Sequence, residues 1–164
     1  MKAGHCGFLL RGYALWDKMS QRVCEMPDTS PIPGMLQAFM AKDLDAALAF
    51  FAEDALLIDP HYPEPRMKGR AAIERGVKWG LESLERPGFS IRNRACSGTI
   101  EFYEVDTKHK LRFGPTIAFD QVFVAELRDG RIARLQAYEP YPAPGIAAVI
   151  RRVSRLIWKL RGWI

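Results

Sequence analysis

The chain has 164 residues, 48 % of them apolar and 26 % charged, an ordinary globular balance that excludes wholesale disorder and collagen-like repetition. The net charge of +5 is unevenly placed: residues 140–164 carry +5 with no acid, residues 1–34 carry +1, and residues 35–139 carry −1. A near-neutral body argues against a nucleic-acid-binding surface, and no run approaches the roughly 18 uninterrupted apolar residues of a membrane span. Near the N-terminus, Arg11 cuts short the apolar Phe8-Leu9-Leu10, which makes a poor secretory signal. Cys6, Cys24 and Cys96 are odd in number and far apart, so neither a disulfide framework nor a zinc knuckle is indicated. A cytoplasmic protein is expected.

Residues 1–34 read as an N-terminal extension ending in a Pro-rich linker at 27–34. Leu44, Ala47, Leu48 and Phe51 then fall on one face of a helix that Asp43 can cap. The apolar run 55–58 ends in Asp59-Pro60 and reads as a strand, and residues 60–69 as a loop. Ile73, Val77, Leu81 and Leu84 mark a second helix that Pro87-Gly88 stops. From residue 89 the pattern is β: strands at 90–97 and 99–105, a hairpin tip at 106–110, a strand at 116–127, a tight turn at Asp129-Gly130, and a last strand at 132–138. Helices followed by a meander of about four strands predict an α+β fold, a curved antiparallel sheet wrapped against helices around a pocket.

Two acids interrupt apolar strands: Asp59 ends Leu56-Leu57-Ile58, and Asp120 lies within Ile117-Ala118-Phe119-Asp120-Gln121-Val122-Phe123. An apolar setting makes a carboxylate costly to ionise. Two acids facing one pocket can divide the work, one ionised as a base and the drier one protonated as a hydrogen-bond donor. That suits proton abstraction next to a carbonyl. The plainer alternative is that Asp59 caps the turn at Pro60 while Asp120 pairs with Arg112 or Arg134. His5 beside Cys6 lacks a second pair of ligands, so no metal is expected. His109, within Asp106-Thr107-Lys108-His109-Lys110, reads as a solvated tip.

The order and spacing of Asp43-Leu44-Asp45, Phe51-Ala52-Glu53-Asp54-Ala55, Asp59-Pro60, Gly69-Arg70-Ala71-Ala72-Ile73, Ile117-Ala118-Phe119-Asp120 and Asp129-Gly130-Arg131-Ile132 resemble the bacterial ketosteroid isomerases. Those belong to the wider superfamily of nuclear-transport-factor-2-like (NTF2-like) and SnoaL-like proteins. The resemblance spans about residues 35–140. It implies an NTF2-like cone with a deep apolar pocket, a homodimer, no cofactor and a small apolar ligand. It also implies Asp59 as general base and Asp120 as the protonated oxyanion-hole acid, a pairing that is a standard worked case of pKa tuning by an apolar site. Leu135, Ala137 and Glu139 are expected on the pocket side of the last strand. Met35 stands where the family's first-helix tyrosine belongs and cannot donate a hydrogen bond, and Val77 replaces a second tyrosine. His61 is expected near the pocket mouth, with Tyr103 and Val122 as further lining candidates.

The expected organisation is thus an extension at 1–34, a SnoaL-like domain at 35–142 and a basic amphipathic helix at 143–164. In that helix Ile146, Val149, Ile150, Val153, Ile157, Leu160 and Ile164 share one face, and Arg151, Arg152, Arg155 and Lys159 the opposite one. The stripe packs on the domain or a second copy, or the helix lies peripherally on an anionic membrane. The expected activity is cofactor-free, isomerase-like proton transfer on a steroid- or polyketide-type carbonyl compound. The alternatives are a non-catalytic binding protein and a SnoaL-like cyclase or hydrolase.

Overall fold

The structure is a computed structural model and describes residues 29–139 and 146–164. His5, Cys6, Cys24 and most of the expected extension lie outside the described residues. Helix α1 (Pro31–Met40) begins inside the segment read as a linker. Pro31 occupies the first helical position, where a missing N–H removes no intrahelical bond, and Ser30 Oγ accepts from the Ile32 N–H at 3.3 Å. Asp43 caps α2 (Leu44–Ala49), accepting from the Ala46 N–H at 2.9 Å.

There follow β1 (Phe51–Ile58), β2 (Arg66–Lys68), α3 (Arg70–Ser83), β3 (Leu84–Arg86), β4 (Phe89–Ser97), β5 (Ile100–Leu111), β6 (Thr116–Arg128), β7 (Arg131–Tyr138) and α4 (Ile146–Leu160). The sheet order is β2-β1-β7-β6-β5-β3, with β4 also paired to β5. Every pairing is antiparallel except β1 with β7, so the sheet is mixed. Strand β5 buries every second residue from Glu101 to Leu111, and β6 buries Gln121, Phe123 and Ala125. Against that face pack Ile32 and Leu36 of α1 and Ile73 and Val77 of α3. The result is an α+β cone.

Besides the start of α1 and the parallel β1–β7 pair in a sheet expected to be antiparallel, three further expectations change. Residues 106–110 are no hairpin tip: β5 pairs with β6 as far as Lys110 opposite Thr116, and the turn falls at residues 112–115. Cys96 is disulfide-bonded, contrary to the reading of the cysteines. Helix α4 packs through Ile150, one member of the expected apolar stripe, and through Ser154 and Trp158 outside it, not through the stripe as a whole. Trp79 Nε1 donates to Ser154 Oγ at 3.2 Å, and the Arg75 guanidinium lies 5.7 Å from the Trp158 ring centroid. Val149, Val153, Leu156, Ile157 and Leu160 stay exposed. Among the described residues no helix is long and apolar enough to cross a membrane.

Two glycines on α3 let β2 and the loop before it come close to the helix. A Cβ on Gly76 would stand 2.1 Å from Met67 Sδ, and one on Gly80 3.2 Å from Tyr62 Oη. Because Met67 is fully buried, Gly76→Ala is expected to destabilise the fold by about 1–3 kcal/mol, outweighing the gain of about 1 kcal/mol in helix propensity. Urea unfolding checks this, and a more stable variant would mean that Met67 can swing aside.

Candidate functional site

Asp59 directly follows β1, where Pro60 ends the strand. Its Oδ1 accepts from the His61 backbone N–H at 2.8 Å and lies 3.2 Å from His61 Nδ1, folding residues 59–61 into a side-chain-closed turn. The Asp59 N–H donates to Pro65 O at 2.9 Å, which holds the far end of the loop. Glu139 directly follows β7, and its carboxylate lies 2.6 Å from the same His61 Nδ1. Strands β1 and β7 run parallel with Ile58 opposite Gln136, so their ends bring the two distant acids to one imidazole.

Burial opposes a charge on His61, but hydrogen bonds and attraction from Asp59 and Glu139 outweigh it and raise its pKa to about 9. At neutral pH His61 is an imidazolium between two carboxylates, its ring 4.5 Å from that of Phe119. Its Nε2 is buried with no hydrogen-bond partner among the described residues. The donor atoms of Asp59, His61 and Glu139 lie within 4.8 Å of one another, the spacing of a three-ligand cation site. A metal there would have to displace the proton that the same carboxylates hold on His61.

Asp59 and His61 face a cavity of about 570 Å³ whose wall is mainly apolar, including Met35, Phe39, Val77, Phe119, Phe123 and Leu135. His109 and Gln121 add polarity to it. The Gly88 N–H donates to His109 Nδ1 at 3.1 Å, which leaves the proton of the neutral ring on Nε2. Burial first, and then the charge on His61, lower the pKa of His109 to about 4, so it is neutral at pH 7. Gln121 Nε2 donates to Thr107 Oγ1 at 2.6 Å, while its Oε1 is buried and unpaired among the described residues. Burial also pushes up the pKa of Tyr62, which lines the cavity as a neutral phenol.

Of the residues expected at the site, Asp59, His61, Met35, Val77 and Leu135 line the cavity, and Glu139 reaches it through His61. Ala137 is buried on the same side of β7 but forms no part of the cavity wall. Tyr103 is fully buried elsewhere, its hydroxyl 2.7 Å from Ser30 Oγ and donating to Glu101 at 3.0 Å. Asp120 is not in the site. It stands opposite Asp106 on the outer face of the sheet, 65 % exposed and 3.7 Å from Arg92. Alternation along β6 sends Phe119, Gln121 and Phe123 inward and therefore Asp120 and Val122 outward. The same alternation on β5 would have revealed His109 once residues 100–111 were read as one strand.

A SnoaL-like domain family matches residues 33–135, more than half the chain. The chain belongs to the SnoaL-like family. Among curated proteins none matches this SnoaL-like chain by sequence. Solved structures similar to it share the NTF2-like, ketosteroid-isomerase-like fold at low identity. One is a Mycobacterium tuberculosis protein in complex with estradiol-17β-hemisuccinate, 18 % identical, with TM-score 0.60, covering 66 % of this chain and 89 % of that one. Another is an epoxide hydrolase of the same organism, 16 % identical, with TM-score 0.58, covering 80 % and 93 %. A third, described as a polyketide cyclase from Sinorhizobium meliloti, is 20 % identical, with TM-score 0.57, covering 71 % and 99 %.

Proposed function

We propose that this SnoaL-like protein is a cofactor-free acid–base enzyme that moves a proton on a small apolar carbonyl compound of steroid or polyketide type. The observation that supports the reading is the meeting of Asp59, His61 and Glu139 beside an apolar cavity that also presents a neutral histidine. Asp59 is the base. Its Oδ1 is committed to His61, whereas its Oδ2 has no partner among the described residues.

Asp59 Oδ2 takes the proton α to the carbonyl. The C–H pair moves into the carbon framework, and the carbonyl π pair moves onto oxygen. His109 Nε2–H donates to that oxygen, the role that Asp120, exposed and outside the cavity lining, does not fill in this reading. Return of the proton from Asp59 to the γ-carbon restores the carboxylate and leaves a conjugated enone. Similar structures with small ligands, estradiol-17β-hemisuccinate in one of them, support the match of cavity to substrate class.

The test uses 5-androstene-3,17-dione, followed at the conjugated-enone absorbance beside a direct binding titration. Wild-type protein is expected to turn it over, and His109→Phe to lose about 100-fold or more while still binding. Binding without turnover by the wild type overturns the isomerase reading in favour of a ligand-holding module. Met35 in the cavity wall, which cannot donate a hydrogen bond to a ligand, is the feature that favours that second reading.

A further inference from the structure

Helix α4 leaves a contiguous apolar stripe in water. Val149, Val153, Leu156 and Leu160 follow the spacing of one helical face, Ile157 lies beside them, and Leu160 is 80 % exposed. The helix is already anchored through Ile150, Ser154 and Trp158, so the stripe points away from the rest of the fold. Beside it stand Arg152, Arg155 and Lys159, all exposed, and no ion pair among the described residues involves them. Residues 140–164 hold no acid at all. Arg151, Arg152 and Arg155 also border a recess of about 200 Å³ against Pro60, Pro63 and Pro65, a size and charge that suit a phosphate group.

We propose that α4 docks the protein on an anionic lipid bilayer. The stripe enters the acyl boundary while the arginines and lysine engage lipid phosphates. Charge decides between occupants. A second copy seated on the stripe would bring two sets of Arg152, Arg155 and Lys159 together, with no acid on either helix to offset their repulsion. An anionic bilayer supplies the missing charge. Docking also has a consequence for the cavity: Ala148, Ile150 and Arg151 of α4 form part of its wall, as does Phe113, which is 85 % exposed. A membrane-bound α4 would bring the part of the cavity wall that this helix forms close to the lipid, from which, on the proposed function, a poorly water-soluble ligand can be drawn.

The experiment is co-sedimentation of the full chain with vesicles of phosphatidylserine and phosphatidylcholine in equal parts, beside vesicles of phosphatidylcholine alone. Binding to the anionic vesicles is expected, with loss at about 0.5 M salt. A triple Arg152→Gln, Arg155→Gln, Lys159→Gln variant should bind about 100-fold more weakly, at roughly fivefold per cation. Leu156→Ser with Leu160→Ser should also lose binding while unfolding normally in urea, since both positions are exposed. Absence of binding to anionic vesicles, or equal binding to both compositions, overturns the proposal. So does a dimer in sedimentation equilibrium that the Leu156→Ser, Leu160→Ser variant dissolves, because a second copy would then cover the stripe.

Discussion

Asp59→Asn is expected to lower turnover by about 1000-fold while leaving ligand affinity unchanged. The amide keeps nearly the shape of the carboxylate, and its oxygen can still accept the His61 backbone N–H that shapes the 59–61 turn. What disappears is the basic oxygen next to the cavity. Asp120→Asn is the matched control: on the outer face, paired with Arg92, it should leave both turnover and affinity as they are. A fall in turnover for Asp120→Asn comparable to that for Asp59→Asn would contradict the β6 register and restore the acid pair that the family resemblance implies. Equal turnover by wild type and Asp59→Asn would remove the base from the mechanism.

Stability should depend on pH on both sides of neutrality, with a different histidine responsible on each side. The unfolded chain protonates His109 near 6.5, whereas burial and the charge on His61 hold the folded value near 4. Between those values the unfolded state binds more protons. Stability therefore falls as pH drops from 6.5 to 4, by about 3 kcal/mol in all. His61 acts in the opposite sense. Asp59 and Glu139 overcome the cost of burial and raise its folded value to about 9, so its contribution is full below 6.5 and is lost as pH rises through 9. Urea unfolding across that range should show a maximum near 6.5. His109→Leu should flatten the acid limb and His61→Leu the alkaline limb. An acid limb that survives His109→Leu unchanged would assign it to other groups.

The β6 register shows where the sequence was ambiguous. Ile117-Ala118-Phe119-Asp120-Gln121-Val122-Phe123 carries apolar residues in both phases, so its pattern does not say which face is inward. The family motif pointed to Asp120. The structure selects the other phase because Phe119, Gln121 and Phe123 fill the cone, while outside it Arg92, which also binds Asp106, receives Asp120. A similar problem hid His109: the polar run Asp106-Thr107-Lys108 looked like a turn, yet its alternate residues face water and Thr107 packs inward. The start of α1 was obscured for another reason, since Pro31 and Pro33 signal a linker in isolation but are tolerated in a first helical turn.

The tail differs again. Its apolar stripe was legible from periodicity, but the face that packs is the one led by Trp158 and Ser154. Arg75 and Trp79 of α3 supply partners for exactly those side chains, a complementarity that no property of α4 alone reveals.

By itself the sequence determined the α+β class, the family, the acid that ends β1, and α2 and α3 except at their ends, where Phe51 and Leu84, read as helical, begin β1 and β3. The class, the helices and that acid rest on local signals, namely helical periodicity, the Asp43 cap and Pro60 breaking a strand, whereas the family rests on the resemblance of short motifs in their order and spacing. Only the tertiary structure decided the company that Asp59 keeps. Parallel pairing of β1 with β7 brings Glu139 to His61, and the depth of β5 buries His109 beside the same cavity. Such meetings depend on strand order and register, and a side chain's ionisation depends on which charges that order places within a few ångströms of it.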